Sequence, residues 1–182
     1  MIKMTQNTKF PQRKNTRLPE YDYSQNGAYF ITVCTHNRRK ILSDVVGALH
    51  EAPVIRLKYY GKIADGIINS LSDRFNIKIP SYVIMPDHIH LIIVIENGEP
   101  LRAIHESPLR RHRSILSKVM GYLKMNVSKE IHMLSPSEKI WQRSFYDHIV
   151  RNEDDLKDIN DYIVANPFLW ACGNHDDSKY LR

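Results

Sequence analysis

One run, YVIMPDHIHLIIVI from Tyr82 to Ile95, limits the possible folds more than any other part of the chain. It is apolar and β-branched on both sides of its centre, the composition of buried strands. Pro86 and Asp87 interrupt it with turn chemistry, so the run reads as two antiparallel strands joined by a tight turn. Strand side chains alternate with a period of two, which sends Ile89, Leu91, Ile93 and Ile95 to one face and His88 and His90 to the other. The isoleucine face needs helices to cover it. The histidine face raises a different problem, because an imidazole among apolar neighbours costs stability unless it is paired or ligates something. Two histidines so spaced can chelate one divalent ion. Alone, the pattern is more often a hydrogen-bonded pair near a hairpin. A metal site needs a third ligand, a carboxylate or an amide oxygen, from another part of the chain.

The other periodicities supply the cover. AYFITVCT, Ala28–Thr35, is aromatic and β-branched and predicts a strand, followed by HNRRK as a solvated turn or strand end. YYGKIADGIINSLSDRF repeats apolar residues at steps of three and four through Tyr60, Ile63, Ile67, Leu71 and Phe75, which predicts a helix despite Gly61 and Gly66. SILSKVMGYLKMNVSKEI predicts a second helix, capped by Ser114, with Leu116, Val119, Met120, Leu123 and Val127 on its stripe. IWQRSFYDHIV reads as a further strand. NEDDLKDINDYIVANP predicts a third helix, with Asn152 as cap, acids at its positive end and a stop at Pro167. NGEPLRAIHESPLRRHR, between the hairpin and the second helix, has no periodicity and reads as a loop. The order strand, helix, strand, strand, helix, strand, helix describes an α+β fold. It is a ferredoxin-like or RRM-like antiparallel sheet with helices on one face plus a C-terminal helix. Residues 1–20 predict a flexible basic arm, and 21–182 a single domain.

Composition narrows the function. Hydrophobic residues are 42% of the 182 and charged residues 25%, which excludes disorder throughout. The formal net charge of +6 points to a polyanion partner, most commonly nucleic acid. Two cysteines, Cys34 and Cys172, are too few for a disulfide framework or a zinc ribbon and suit a reducing cytosol. The basic N-terminus lacks the continuous apolar core of a secretory signal, and the run LIIVI is too short to span a membrane.

Tyr162 and Asn166 stand four apart on the third helix and share a face, beside the stripe Leu156, Ile159 and Ile163. Alone, such a pair is a boundary tyrosine and an amide near a helix end. Combined with the histidine pair, it supplies the parts of a phosphodiester-cleaving site: a metal to polarise the phosphate and a phenol to attack it, forming a covalent phosphotyrosine. Tyr146 in SFYDH is the rival nucleophile, but its neighbours alternate like a strand and no amide follows one helical turn on.

These stretches together carry a resemblance. RLPEYDYSQNGAYFITVCTHNR, YVIMPDHIHLIIVI and WQRSFYDHIVRNEDDLKDINDYIVANP cover most of residues 17 to 170, and the chain resembles the IS200-like single-tyrosine transposases, a branch of the HUH endonucleases, and more narrowly the REP-associated tyrosine transposases. The resemblance implies an RRM-like sheet with the nucleophile on a separate helix. It implies His88, His90 and Asn166 as ligands of Mg2+ or Mn2+ and Tyr162 as nucleophile. It implies single-stranded or hairpin DNA as substrate, in a bacterial cytoplasm at the nucleoid, for a monomer or homodimer. Where Asn166 stands, insertion-sequence relatives more often carry glutamine. Where Asp87 stands, many relatives carry asparagine, and Asp87 reads here as a turn former. The basic residues Arg38, Arg39 and Lys40, the run Arg110, Arg111 and Arg113, and Arg143 are the expected DNA contacts. The alternatives are a non-catalytic RRM-like nucleic-acid-binding module and a domesticated nickase that does not mobilise its own gene.

Overall fold

The computed structural model describes residues 26–47, 52–96 and 114–174. The predicted basic arm at 1–20 and the run Arg110, Arg111 and Arg113 lie outside them. A four-stranded sheet holds β1 (Gly27–Cys34), β4 (Tyr82–Ile84), β5 (His88–Ile95) and β6 (Tyr146–Val150) in the spatial order β4-β5-β1-β6. All three pairings are antiparallel. With the helices α1 (Tyr59–Phe75) and α2 (Ile115–His132) inserted after β1 and β5, this is the expected ferredoxin-like layout.

The alternation in β5 sorts two cores. Ile89, Leu91, Ile93 and Ile95 pack with Tyr29, Ile31 and Val33 of β1 beneath α1 and α2. Ala64, Ile68 and Leu71 of α1, and Leu116, Val119, Leu123 and Val127 of α2, close that core. The other face carries a smaller core of Phe30, Ile92, Ile159 and Ile163, with Leu156 and Tyr162 against it. Ile159 and Ile163 come from α3 (Glu153–Ala171), so the third helix covers the histidine face.

The helix starts follow the sequence signals. The Ser114 hydroxyl accepts from the Ser117 amide at the start of α2, and the Asn152 side chain accepts from the Asp155 amide at the start of α3. Gly61, read from sequence as a mild weakness in α1, has a packing reason: a Cβ there would collide with the carbonyl oxygen of Leu42.

Three elements differ from expectation. HNRRK is not a plain turn, since His36–Arg38 forms a short 3-10 turn with left-handed backbone at Asn37 and Arg38. A two-stranded ribbon of β2 (Ser43–Val46) and β3 (Val54–Leu57) precedes α1 and has only weak alternation in sequence. Pro167 does not end α3, which continues to Ala171. A proline within a helix removes a hydrogen bond and crowds the carbonyl four residues back, at about 3 kcal/mol. The turn beyond it is retained where Trp170 packs beside His88.

Candidate active site

His88 and His90 enter the sheet directly after the Pro86–Asp87 turn. Both are fully buried, and their rings stand 4.5 Å apart. Residues of β1 hold the His90 ring, and the turn residue Asp87 holds that of His88. Thr32 faces His90 in the register, and its hydroxyl lies 2.8 Å from His90 Nδ1. Phe30 stacks on the same imidazole at 5.1 Å. Asp87 Oδ1 lies 2.6 Å from His88 Nδ1. Asp87, read from sequence as a turn former alone, therefore also contacts the histidine pair.

Helix α3 completes the site from above. Tyr162, Asn166 and Trp170 recur every four residues and line one helix face. Tyr162 sits 5.4 Å from His90 and edge-on to Phe30 at 6.2 Å. Trp170 sits 6.1 Å from His88. Asn166 lies between them on this stripe, fully buried, and neither its Oδ1 nor its Nδ2 has a hydrogen-bond partner among the described residues. A buried amide left unsatisfied costs about 1–3 kcal/mol. Among the described residues no three His, Cys, Asp or Glu side chains could together hold a metal ion. Two imidazoles on the sheet and the unsatisfied Asn166 amide on the facing helix stripe are donor types that suit a divalent cation.

The rival Tyr146 lies on the same sheet face but farther away. In the register, Thr32 stands between His90 and Tyr146, which is half-buried on the edge strand β6. Tyr122 packs edge-on against Phe75 in α1 and under the Arg74 guanidinium, away from the histidines.

A hydrogen bond ties α3 to the sheet. His148 Nε2 on β6 lies 3.1 Å from Asp155 Oδ2, and the Arg151 amide also donates to that carboxylate. Burial pushes the Asp155 carboxyl up, but the His148 and Arg151 hydrogen bonds outweigh it and hold it below the ordinary carboxylate range. On the other side of the sheet Lys124 donates to the carbonyls of Gln142 and Ser144, clamping the WQRS segment onto α2. Burial pushes the Lys124 amine down to about 8, with Cys34 opposing the shift.

The basic residues near the site are divided. Lys40 Nζ stands 5.4 Å over the Trp170 ring, beside the site. Arg38 turns inward, with Nε 3.4 Å from Asp87 Oδ2 and Nη1 2.9 Å from Cys34 Sγ. Arg39 pairs with Glu138 and donates to the Lys139 carbonyl. Arg143 is exposed. Sequence reasoning missed Thr32, Trp170 and the inward turn of Arg38. The four-residue spacing from Asn166 to Trp170 was visible, but Pro167 masked it. Among the described residues, no helix is long and apolar enough to cross a membrane.

The family described as "Transposase IS200 like" matches residues 23–166. An uncharacterized protein of Haemophilus influenzae is 29% identical over 167 residues, which are 87% of this chain and 89% of that one. The REP-associated tyrosine transposase of Escherichia coli is 26% identical over 145 residues, covering 80% of this chain and 68% of that one. Among solved structures, a REP-associated tyrosine transposase bound to a REP hairpin superposes with a TM-score of 0.56 at 22% identity, covering 87% of this chain and 76% of that one.

Proposed function

The chain belongs to the IS200-like transposase family, and on that premise we propose that it is a metal-dependent endonuclease and strand transferase for single-stranded DNA at REP-like hairpins. The observation that carries this reading is the packing of Tyr162 against His90, with the orphaned Asn166 amide one helical turn on. The relatives named as REP-associated tyrosine transposases support the hairpin as substrate.

His88, His90 and Asn166 would hold magnesium or manganese. Bound there, the ion would polarise a phosphate oxygen and steady the scissile phosphate. The chain's own residues do the rest. The Tyr162 phenol attacks phosphorus in line, its Oη–P bond forming as the P–O3′ bond breaks. The phenolic proton leaves to solvent, the 3′ oxygen takes one up, and the 5′ phosphate remains esterified to Tyr162. The ester keeps the bond energy, so a 3′ hydroxyl can reverse the step and join strands without ATP. Phe30 and Ile159 pack beside the tyrosine and help hold its ring in place.

Incubation with single-stranded hairpin oligonucleotides, with and without EDTA, tests the proposal. The expected product is a protein–DNA adduct stable to denaturant and absent in EDTA. Hairpin binding without any metal-dependent adduct would instead favour a non-catalytic nucleic-acid-binding module.

A further inference from the structure

The turn between β4 and β5 does more than reverse the chain. Asp87 is almost fully buried, at 6% exposure. Its backbone is pinned: its carbonyl accepts from the Thr35 amide at 2.9 Å and from the Thr35 hydroxyl at 3.0 Å. Met85 donates to the His88 carbonyl at 2.9 Å and closes the turn. With the backbone fixed, the carboxylate has one oxygen on His88 Nδ1 and the other on Arg38 Nε. Arg38 is held there at a cost. Its φ of 53° and the 55° of Asn37 lie in the left-handed region, which non-glycine residues adopt rarely outside sites that over-determine them. The guanidinium is fixed a second time by the Cys34 sulfur.

A carboxylate accepts hydrogen bonds, so the hydrogen between Asp87 and His88 belongs to Nδ1. That leaves Nε2 as the nitrogen through which His88 would ligate. We propose that Asp87, braced by Arg38, is a positioning residue that holds His88 as the Nδ1–H tautomer with Nε2 as its metal-binding atom. The inference rests on the proposed cation site. Thr32 makes the matching contact to His90 Nδ1, but a hydroxyl can donate or accept, so that contact does not dictate the tautomer as a carboxylate does. Asp87→Asn keeps one acceptor oxygen for His88 Nδ1 but loses the charge and turns an NH2 donor toward Arg38, whereas Asp87→Ala loses both oxygens.

Two measurements on the full chain test this. Long-range 15N–1H correlation spectra of the metal-free protein should show His88 protonated at Nδ1. In Asp87→Ala the ring should move to a mixture of tautomers, and Asp87→Asn should restore the Nδ1–H form. Wild-type His88 protonated at Nε2 instead would overturn the inference. Mn2+ titration followed by electron paramagnetic resonance should give an affinity weakened about 10–100-fold in Asp87→Ala and largely recovered in Asp87→Asn. Wild-type binding with Asp87→Ala within about twofold of it would sink this inference alone. Absence of Mn2+ binding by the wild type would remove the cation site and this inference with it. The wild-type spectrum keeps the test decisive should Asp87→Ala fail to fold.

Discussion

The ring of Tyr162 rests 5.4 Å from the imidazole of His90, within one chain. The two sit on different elements, and the contact exists because Ile159 and Ile163 dock α3 on Phe30 and Ile92 of the sheet. Tyr162→Phe keeps that packing and removes only the hydroxyl. Hairpin DNA should bind as before, and the covalent adduct should fall to background. Tyr146→Phe should leave adduct formation near the wild-type level. Adduct persisting in Tyr162→Phe and lost in Tyr146→Phe would reverse the two assignments.

Asn166 should be costly to the fold and necessary to the site. Replacing it with leucine removes an unsatisfied buried amide and fills the same space with apolar atoms. The unfolding free energy should stay level or rise by about 1–3 kcal/mol, while Mn2+ binding and adduct formation are lost. Thermal melts of the metal-free variant decide the first part. A loss above about 1 kcal/mol would mean that the amide has a structural partner and not a ligand role.

The attachment of α3 to β6 should be acid-sensitive. The folded Asp155 carboxyl lies below its ordinary value near 3.8. Its contribution is therefore complete above that value and disappears as pH falls through the lower folded value. The contact is partly exposed, so the effect is no more than about 1 kcal/mol. Denaturant melts of the wild type and Asp155→Asn between neutral pH and about pH 3 should converge as pH falls. Curves that stay parallel throughout would contradict the coupling.

The second core is thin, so α3 should loosen before the rest of the domain. Ile159→Ala opens a cavity worth about 2–5 kcal/mol. Hydrogen exchange should accelerate in α3 amides more than in those of α1 and α2, and adduct formation should fall with α3 protection. Equal acceleration in all three helices would show that the domain opens as one unit.

Much of this was legible in one dimension because the patterns are local. The alternation in His88–Ile95 sorts the isoleucines from the histidines, and the three-and-four steps in α1 and α2 mark their buried stripes. The caps at Ser114 and Asn152 are chosen by orphan amides within their own first turns. Those signals belong to neighbouring residues, and the strand and helix periods read them directly. The short ribbon of β2 and β3 was not legible, because its strands alternate weakly and gain their order from pairing with each other.

The site divides along the same line. Primary structure sets which residue types are available: two imidazoles on one strand face, and a phenol and an amide on one helix face. That α3 covers the histidine face follows from packing, because docking depends on a shape match between two apolar surfaces far apart in the chain. The fold also carries the helix past Pro167 to bring Trp170 to His88, and turns Arg38 inward. Both exceptions break a local preference, and packing outweighs local preference where enough buried contacts reward it. Asp87 shows the difference most plainly. As a neighbour of proline it is a turn residue, and only the fold puts its carboxylate on His88 and its partner Arg38 behind it.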